Sequence, residues 1–126
     1  MALLTSSAAL AAGDPAARQR VFASHCAVCH TSAPGENKVG PSLAGIVGSK
    51  SGTVPGFDFS PAMKNADITW DDANLDKYLA NPVGFVHGTK MIFPGLPRPA
   101  VRADVISFLN SNSDDPKPLP SAAAGG

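Results

Sequence analysis

The sequence has no excess charge of either sign and few large aromatic side chains. It contains 10 Lys+Arg and 10 Asp+Glu, so its formal net charge is zero and nothing in this balance favours nucleic acid or an anionic membrane as a partner. One Trp, one Tyr and six Phe make a thin core for one domain of 126 residues, whereas 12 Gly and 12 Pro indicate long loops and short helices. A bulky apolar cofactor that supplies part of the core would resolve this shortage.

Neither end of the chain has the composition of a folded segment. Residues 1–12 are similar to the apolar part of a secretory signal without its positively charged start, and they are too short and too polar to span a membrane. Residues 111–126 are rich in Pro, Ser, Ala and Gly, which predicts disorder. We therefore expect a leader over residues 1–12, one folded domain over residues 13–110 and a disordered tail over residues 111–126.

The pattern of apolar residues, caps and breakers predicts an all-α domain of about four short helices joined by long loops. No window alternates with a period of two for long enough to predict a strand. Asp14 and Asp71 are predicted N-caps of the first and third helices. The predicted helices follow Asp14 and cover Pro61–Ala66, Asp71–Asn81 and Pro99–Asn110, with loops over Gly40–Gly56 and Val83–Pro97.

The only two cysteines, Cys26 and Cys29, stand three residues apart, and His30 directly follows the second. A disulfide between them would close a very small loop and constrain the chain little. A thioredoxin-like redox pair needs a βαβ context, which is absent, and His25 and His87 do not complete a zinc site at the usual spacing. C-x-x-C-H is the pattern of covalent c-type haem attachment, because both thiols then face one porphyrin edge and His30 can bind the iron.

One histidine leaves the opposite side of the iron open. We favour Met91 as the sixth ligand, because it lies in a loop that contains glycine and ends at a proline, where a methionine has less reason to be packing material. Its thioether would stabilise ferrous iron, and iron with six ligands has no position free for oxygen or peroxide. The other candidates are His25, Met63 and His87.

At this point the chain resembles the class I cytochromes c, close to the mitochondrial and bacterial long-loop forms. The resemblance covers about residues 13–110 and implies the class I cytochrome c fold, wrapped around one haem c that is attached through Cys26 and Cys29. The motifs that carry it are CAVCH, VGPSLAGIVG at Val39–Gly48, ITW at Ile68–Trp70, YLANP at Tyr78–Pro82, GTKMIFPG at Gly88–Gly95 and RADVISFL at Arg102–Leu109.

The resemblance also implies roles for individual residues around the haem. Pro41 is similar to the residue whose carbonyl accepts a hydrogen bond from the proximal histidine, and Trp70 to the tryptophan that binds a haem propionate. Tyr78 and Thr89 resemble the residues that flank the methionine ligand, and Phe93 resembles the aromatic that shields the haem face. Phe22, Val105 and Phe108 match positions where the first and last helices cross.

The chain departs from the family pattern at five positions. Arg18 stands where a glycine is usual at the helix crossing, and His87 replaces a common proline in the methionine loop. Ser49, Phe59 and Met63 replace Arg, Tyr and Asn in the region that holds the propionates. We therefore predict a propionate pocket with fewer waters than usual and a methionine ligand that is easier to displace.

These features predict a soluble, monomeric one-electron carrier, exported to the periplasm, rather than an enzyme. The expected donor is a bc1-type complex or a dehydrogenase, and the expected acceptor is an oxidase or a reaction centre; stable membrane insertion is not expected. A haem enzyme in which Met91 is unbound, and a thiol or metal protein without haem, stay open as alternatives. Docking also has two alternatives at this stage: a weakly basic front, or an apolar surface. The first would use Lys38, Lys50, Lys64 and Lys90, and the second Val83, Ile92 and Phe93.

Overall fold

The computed structural model describes residues 14–112, and within them the regular structure is helical. An isolated bridge between Lys50 and Thr69 is the β-structure found in this part of the chain. The prediction of an all-α fold is confirmed. The helices are α1 (Pro15–His25), α2 (Pro61–Asn65), α3 (Asp72–Ala80), α4 (Pro82–Phe85) and α5 (Pro99–Ser111).

The first three helices begin where a side chain satisfies a free backbone N–H. The Asp14 carboxylate accepts the Ala17 N–H at 2.7 Å, and the Asp71 carboxylate accepts the Asn74 N–H at 2.8 Å. The Ser60 hydroxyl accepts the Met63 N–H at 3.1 Å. Such caps satisfy donors that the first turn leaves unpaired, so short helices can begin in a chain rich in loops.

Helix α4 lies at the start of the segment that was predicted as loop over Val83–Pro97, so that prediction was wrong at its N-terminal end. Asn81 ends α3 and also begins α4, because its side chain accepts the Gly84 N–H at 3.1 Å. Pro82 occupies the first helical position, where its missing N–H costs nothing. A single turn of four residues has no apolar period, so the sequence pattern cannot reveal it.

The first and last helices cross in the core, as predicted. The rings of Phe22 and Phe108 lie 4.7 Å apart between α1 and α5, and Val105 is 1% exposed. α5 also packs against α3, which carries the buried Leu75, Tyr78 and Leu79 on one face. Arg18 is half-buried in α1, so the guanidinium side chain is accommodated while the two phenylalanine rings stay in contact.

The last helix ends one residue later than predicted. α5 continues to Ser111, because the Asn112 N–H bonds the carbonyls of Phe108 and Leu109, and the Asn112 side chain donates to the Ser32 carbonyl at 2.8 Å. The predicted leader over residues 1–12 and the rest of the predicted tail lie outside the described residues. No helix within residues 14–112 is long and apolar enough to cross a bilayer.

Candidate functional site

The two cysteines and the histidine lie on one tight turn that follows α1. The N–H groups of Cys29 and His30 both bond the Cys26 carbonyl, at 3.1 and 3.0 Å. Both thiols are free and half-buried, and burial raises the pKa of Cys26 to about 11. A thiol that stays protonated at neutral pH is a poor redox nucleophile, which argues against a thioredoxin-like pair.

His30 is oriented by the backbone of the loop that faces it. Its Nδ1 lies 2.7 Å from the Pro41 carbonyl oxygen. Because a carbonyl oxygen only accepts, Nδ1 carries the proton and Nε2 keeps a lone pair. Burial lowers the pKa of His30, and the hydrogen bond to Pro41 only partly opposes this. The ring is therefore neutral at neutral pH, which is the form that binds a metal ion.

Gly40 leaves the space that the His30 ring occupies. A Cβ at this position would collide with the ring, at 2.7 Å from Nδ1 and 2.9 Å from Nε2. The Gly40 N–H donates to the Cys29 carbonyl at 2.7 Å, which ties this loop to the cysteine turn. The absence of a side chain at Gly40 therefore allows the backbone to hold His30 closely. We call the group Cys26, Cys29, His30, Gly40 and Pro41 the histidine half of the site.

The Thr89 hydroxyl group links the Met91 loop to the buried Tyr78. Thr89 Oγ1 lies 2.6 Å from the Tyr78 hydroxyl and accepts the Met91 N–H at 3.3 Å. Burial raises the pKa of Tyr78, and the hydrogen bond to Thr89 only partly opposes this. The phenol therefore remains neutral at physiological pH and keeps its hydrogen bond to the loop. Met91 and Phe93 are both half-buried and pack against the core.

Two further contacts fix the outer edge and the end of the same loop. The Lys90 ammonium donates to the Asp58 carbonyl at 2.7 Å and lies 3.2 Å from its carboxylate. At the far end the Leu96 N–H donates to the Leu79 carbonyl at 2.8 Å. Together with Thr89 and Tyr78, these bonds define the methionine half of the site, which holds Met91 on a loop that contains no helix.

The remaining predicted residues lie between or behind these two halves. Trp70 is buried, with its ring 5.1 Å from that of Tyr78. Met63 is buried, Phe59 is half-buried against Phe57, and the Ser49 hydroxyl donates to the Ile46 carbonyl at 2.7 Å. These three of the five positions that depart from the family pattern are thus apolar or already bonded. The predicted shortage of water there stays a prediction, and His87 is exposed.

The residues of both halves fit a haem. The histidine half presents a neutral imidazole with a free Nε2 lone pair beside two unpaired thiols, and the methionine half presents a thioether. Apolar side chains near both halves are left half-buried, and a large apolar group would cover them; these include Cys26, Leu43, Phe59, Met91 and Phe93. Within residues 14–112 no group of three His, Cys, Asp or Glu side chains could hold a metal ion, so the zinc alternative finds no site there.

Sequence reasoning missed two residues that contribute to the site. Gly40 was considered only as part of a motif, although a glycine before a structural proline is a recognisable signal for a close backbone approach. Asp58 gave no signal, because it is 32 residues from Lys90 in the chain and their pairing depends on the tertiary fold.

Comparison with known proteins identifies similar sequences and a similar structure. The family model described as cytochrome c matches residues 16–113. The chain is 54% identical over 112 residues to cytochrome c2 of Rhodomicrobium vannielii, covering 86% of each chain, and 46% identical over 98 residues to cytochrome c of Ginkgo biloba, covering 77% of this chain and 87% of that one. Among solved structures, cytochrome cH from Methylobacterium extorquens is similar with a TM-score of 0.72 at 44% identity, covering 79% of this chain and 99% of that chain.

Proposed function

The chain belongs to the cytochrome c family, and from that membership we propose that His30 and Met91 are the axial ligands of a haem bound to Cys26 and Cys29. As a member it carries one covalent haem c and is an electron carrier, not an enzyme. It shuttles electrons between larger redox complexes. When bound, the haem iron supplies the chemistry, since it accepts and releases one electron at a time.

The observation that carries the ligand assignment is the hydrogen bond from His30 Nδ1 to the Pro41 carbonyl. It holds the tautomer whose free nitrogen, Nε2, can bind iron, and it raises the donor strength of the ring. The covalent attachment keeps that nitrogen and the cofactor together. Met91 would provide a soft sulfur ligand that favours ferrous iron, and with His30 and Met91 both bound the iron would have no position for a substrate.

The other site residues position these ligands. The Thr89 hydroxyl bonds both the Tyr78 hydroxyl and the Met91 N–H, which restricts the conformations of the methionine loop. The Met91 sulfur is therefore preorganised for binding the iron. Phe93, half-buried beside Met91, would help to exclude water from the methionine half, and the indole N–H of the buried Trp70 would serve as a donor to a haem propionate. Each of these residues is a positioning or shielding group and not a catalyst.

The partners and location follow from the type of carrier. We expect a bc1-type complex or a dehydrogenase as donor and an oxidase or a reaction centre as acceptor, with the protein acting as a monomer in the periplasm. The bacterial cytochromes c2 and cH among the similar proteins support this placement. Assays with membranes that contain or lack each complex would identify the donor and the acceptor.

Exchange of each methionine for leucine tests the ligand assignment. Met91→Leu should abolish the sulfur-to-iron charge-transfer band of the ferric holoprotein and lower its reduction potential, because the thioether is lost. Met63→Leu is the matched control, since Met63 is buried and the volume change is equally small. The assignment is wrong if Met63→Leu removes the band and Met91→Leu keeps it.

A further inference from the structure

The peptide group between Pro41 and Ser42 is hydrogen-bonded on both of its sides. Its carbonyl oxygen lies 2.7 Å from His30 Nδ1, and its N–H donates to Asn37 Oδ1 at 2.8 Å. The C=O and N–H of a trans peptide point in opposite directions, so His30 and Asn37 lie on opposite sides of this group. The bond that orients the proposed iron ligand therefore shares one amide with a bond to Asn37.

The Asn37 side chain satisfies its partners in only one orientation. Its Oδ1 accepts the Ser42 N–H at 2.8 Å, and its Nδ2 donates to the Pro55 carbonyl at 3.1 Å. Exchange of the two amide atoms would place a donor against a donor at Ser42 and an acceptor against an acceptor at Pro55. The half-buried Asn37 thus presents an oxygen atom to the Pro41–Ser42 peptide.

The residues beside this peptide are also anchored without Asn37. Ser42 is 4% exposed, and its hydroxyl donates to the Ala33 carbonyl at 2.6 Å. The Gly40 N–H donates to the Cys29 carbonyl at 2.7 Å on the other side of the peptide. We therefore expect the histidine half to keep its shape when the bond to Asn37 is removed, so that a change at residue 37 mainly alters the polarisation of the peptide.

We propose that Asn37 is a positioning residue that lowers the reduction potential of the haem iron through the Pro41–Ser42 peptide and His30. This inference rests on the proposed function, in which His30 binds the iron. A peptide whose N–H donates a hydrogen bond has a more polarised carbonyl, which is a stronger acceptor. The Pro41 carbonyl then attracts the Nδ1 proton more strongly, and Nε2 becomes a stronger electron donor, which favours ferric over ferrous iron.

The bond from Asn37 to Pro55 gives this side chain a second role that a test must separate from the first. It joins two segments that are 18 residues apart in the chain. If this bridge alone mattered, every variant that lacks the Nδ2 donor would shift the potential in the same direction. If the peptide relay matters, the direction depends on what faces the Ser42 N–H.

Two substitutions at residue 37 separate these roles, because both remove the Nδ2 donor and only one removes the acceptor. Asn37→Leu leaves the Ser42 N–H without its acceptor, so the potential should rise. Direct outer partners of metal ligands change affinity 10- to 100-fold, and Asn37 acts one bond further out, so we expect about a threefold larger ratio of ferrous to ferric protein in a fixed reference couple, equal to about 30 mV. Asn37→Asp keeps the acceptor and makes it anionic, so the potential should fall below that of the wild type.

Val39→Asp is the matched control for the added charge. Val39 is 78% exposed and lies two residues from Asn37, so its variant measures the effect of a nearby carboxylate that is not bonded to the peptide. At high salt, where exposed charges are screened, it should shift the potential much less than Asn37→Asp does. Asn37→Ala removes both bonds without added bulk and replaces the leucine variant if that variant does not fold.

NMR of the ferrous holoprotein adds a readout that a merely structural role would not move. The His30 Nδ1–H resonance should shift downfield in Asn37→Asp and upfield in Asn37→Leu, because its hydrogen bond to Pro41 strengthens in the first variant and weakens in the second. The sulfur-to-iron charge-transfer band of the ferric protein should persist in both, since neither ligand is changed.

The outcomes separate this inference from the proposed function. Opposite shifts of the potential in the two Asn37 variants, with matching opposite shifts of the Nδ1–H resonance, would support the relay. Shifts in the same direction, or an Asn37→Asp shift no larger than that of Val39→Asp, would overturn it and leave Asn37 as a bridge to Pro55. A wild-type protein without a haem spectrum, or with iron that His30 does not bind, would defeat the proposed function itself.

Discussion

Replacement of Gly40 by alanine should disturb the iron ligand without any direct change to it. Gly40 does not have a positive φ, so its backbone conformation permits alanine. The effect of Gly40→Ala on stability should therefore come from steric overlap alone. The added Cβ would lie 2.7 Å from His30 Nδ1 and closer still to Cε1, so the ring must withdraw by more than 0.7 Å to reach an ordinary contact of 3.4 Å. That shift strains the 2.7 Å hydrogen bond between Nδ1 and the Pro41 carbonyl.

The expected loss of stability has two parts. Overpacking of a tight site costs about 1–3 kcal/mol, and loss of the His30 hydrogen bond adds about 1 kcal/mol, so Gly40→Ala should lower the free energy of unfolding by roughly 2–4 kcal/mol. Denaturant titration of the holoprotein measures this value. The reduction potential of Gly40→Ala should change only if His30 is displaced from the iron, and the visible spectrum would show that displacement.

Gly45→Ala is the matched control for this experiment. Gly45 has a φ of +68°, and a Cβ added there would have no atom within 4 Å, so alanine meets only a backbone penalty of about 1–2 kcal/mol. The spectrum of this variant should be unchanged. The reasoning about Gly40 fails if its alanine variant is no less stable than the Gly45 variant and its iron spectrum is that of the wild type.

Three further predictions concern the loops and ion pairs. Thr89→Val should leave the Tyr78 hydroxyl without its partner and destabilise the methionine loop by about 1–2 kcal/mol, which should raise the affinity of ferric holoprotein for added imidazole roughly tenfold. Thr53→Val, which removes a hydroxyl bonded to the Lys50 carbonyl, should leave this affinity unchanged, and equal titration curves for the two variants would contradict the prediction. Arg102→Gln should cost about 2 kcal/mol in denaturant unfolding, because the half-buried Arg102 donates to both Asp76 and the Leu96 carbonyl. Lys50→Gln, in an exposed pair, should cost clearly less, and similar losses would refute the distinction. Lys50 lowers the pKa of Asp67, so the contribution of this pair to stability is present above the ordinary carboxyl pKa and is lost as pH falls through the lower folded value. Asp67→Asn should therefore reduce the acid sensitivity of unfolding below about pH 4. An unchanged acid profile would count against this prediction.

Local signals in the sequence were sufficient for the two helices with predicted aspartate caps and for the cysteine turn. Asp14 and Asp71 cap their helices as predicted, and the spacing of Cys26, Cys29 and His30 indicated haem attachment directly. These features depend on neighbours within one helical turn, and such patterns are visible in a single sequence. The single turn of α4 was missed because four residues show no period.

Contacts between distant segments could not be predicted in the same way. The pairing of Lys90 with Asp58 spans 32 residues, and that of Arg102 with Asp76 spans 26. Both depend on how α5 and the methionine loop pack, which no local pattern encodes. The bonds from Lys38 to the Ala27 carbonyl and from Gly40 to the Cys29 carbonyl likewise join two segments and appear only in the folded chain.

Covalent attachment of haem through Cys26 and Cys29 is the claim on which the rest of the account depends, and mass spectrometry of the denatured, alkylated protein tests it most directly. The account predicts that the peptide containing Cys26, Cys29 and His30 retains the mass of one haem and that neither thiol reacts with the alkylating agent. Recovery of this peptide without a porphyrin, with both thiols alkylated, would contradict it.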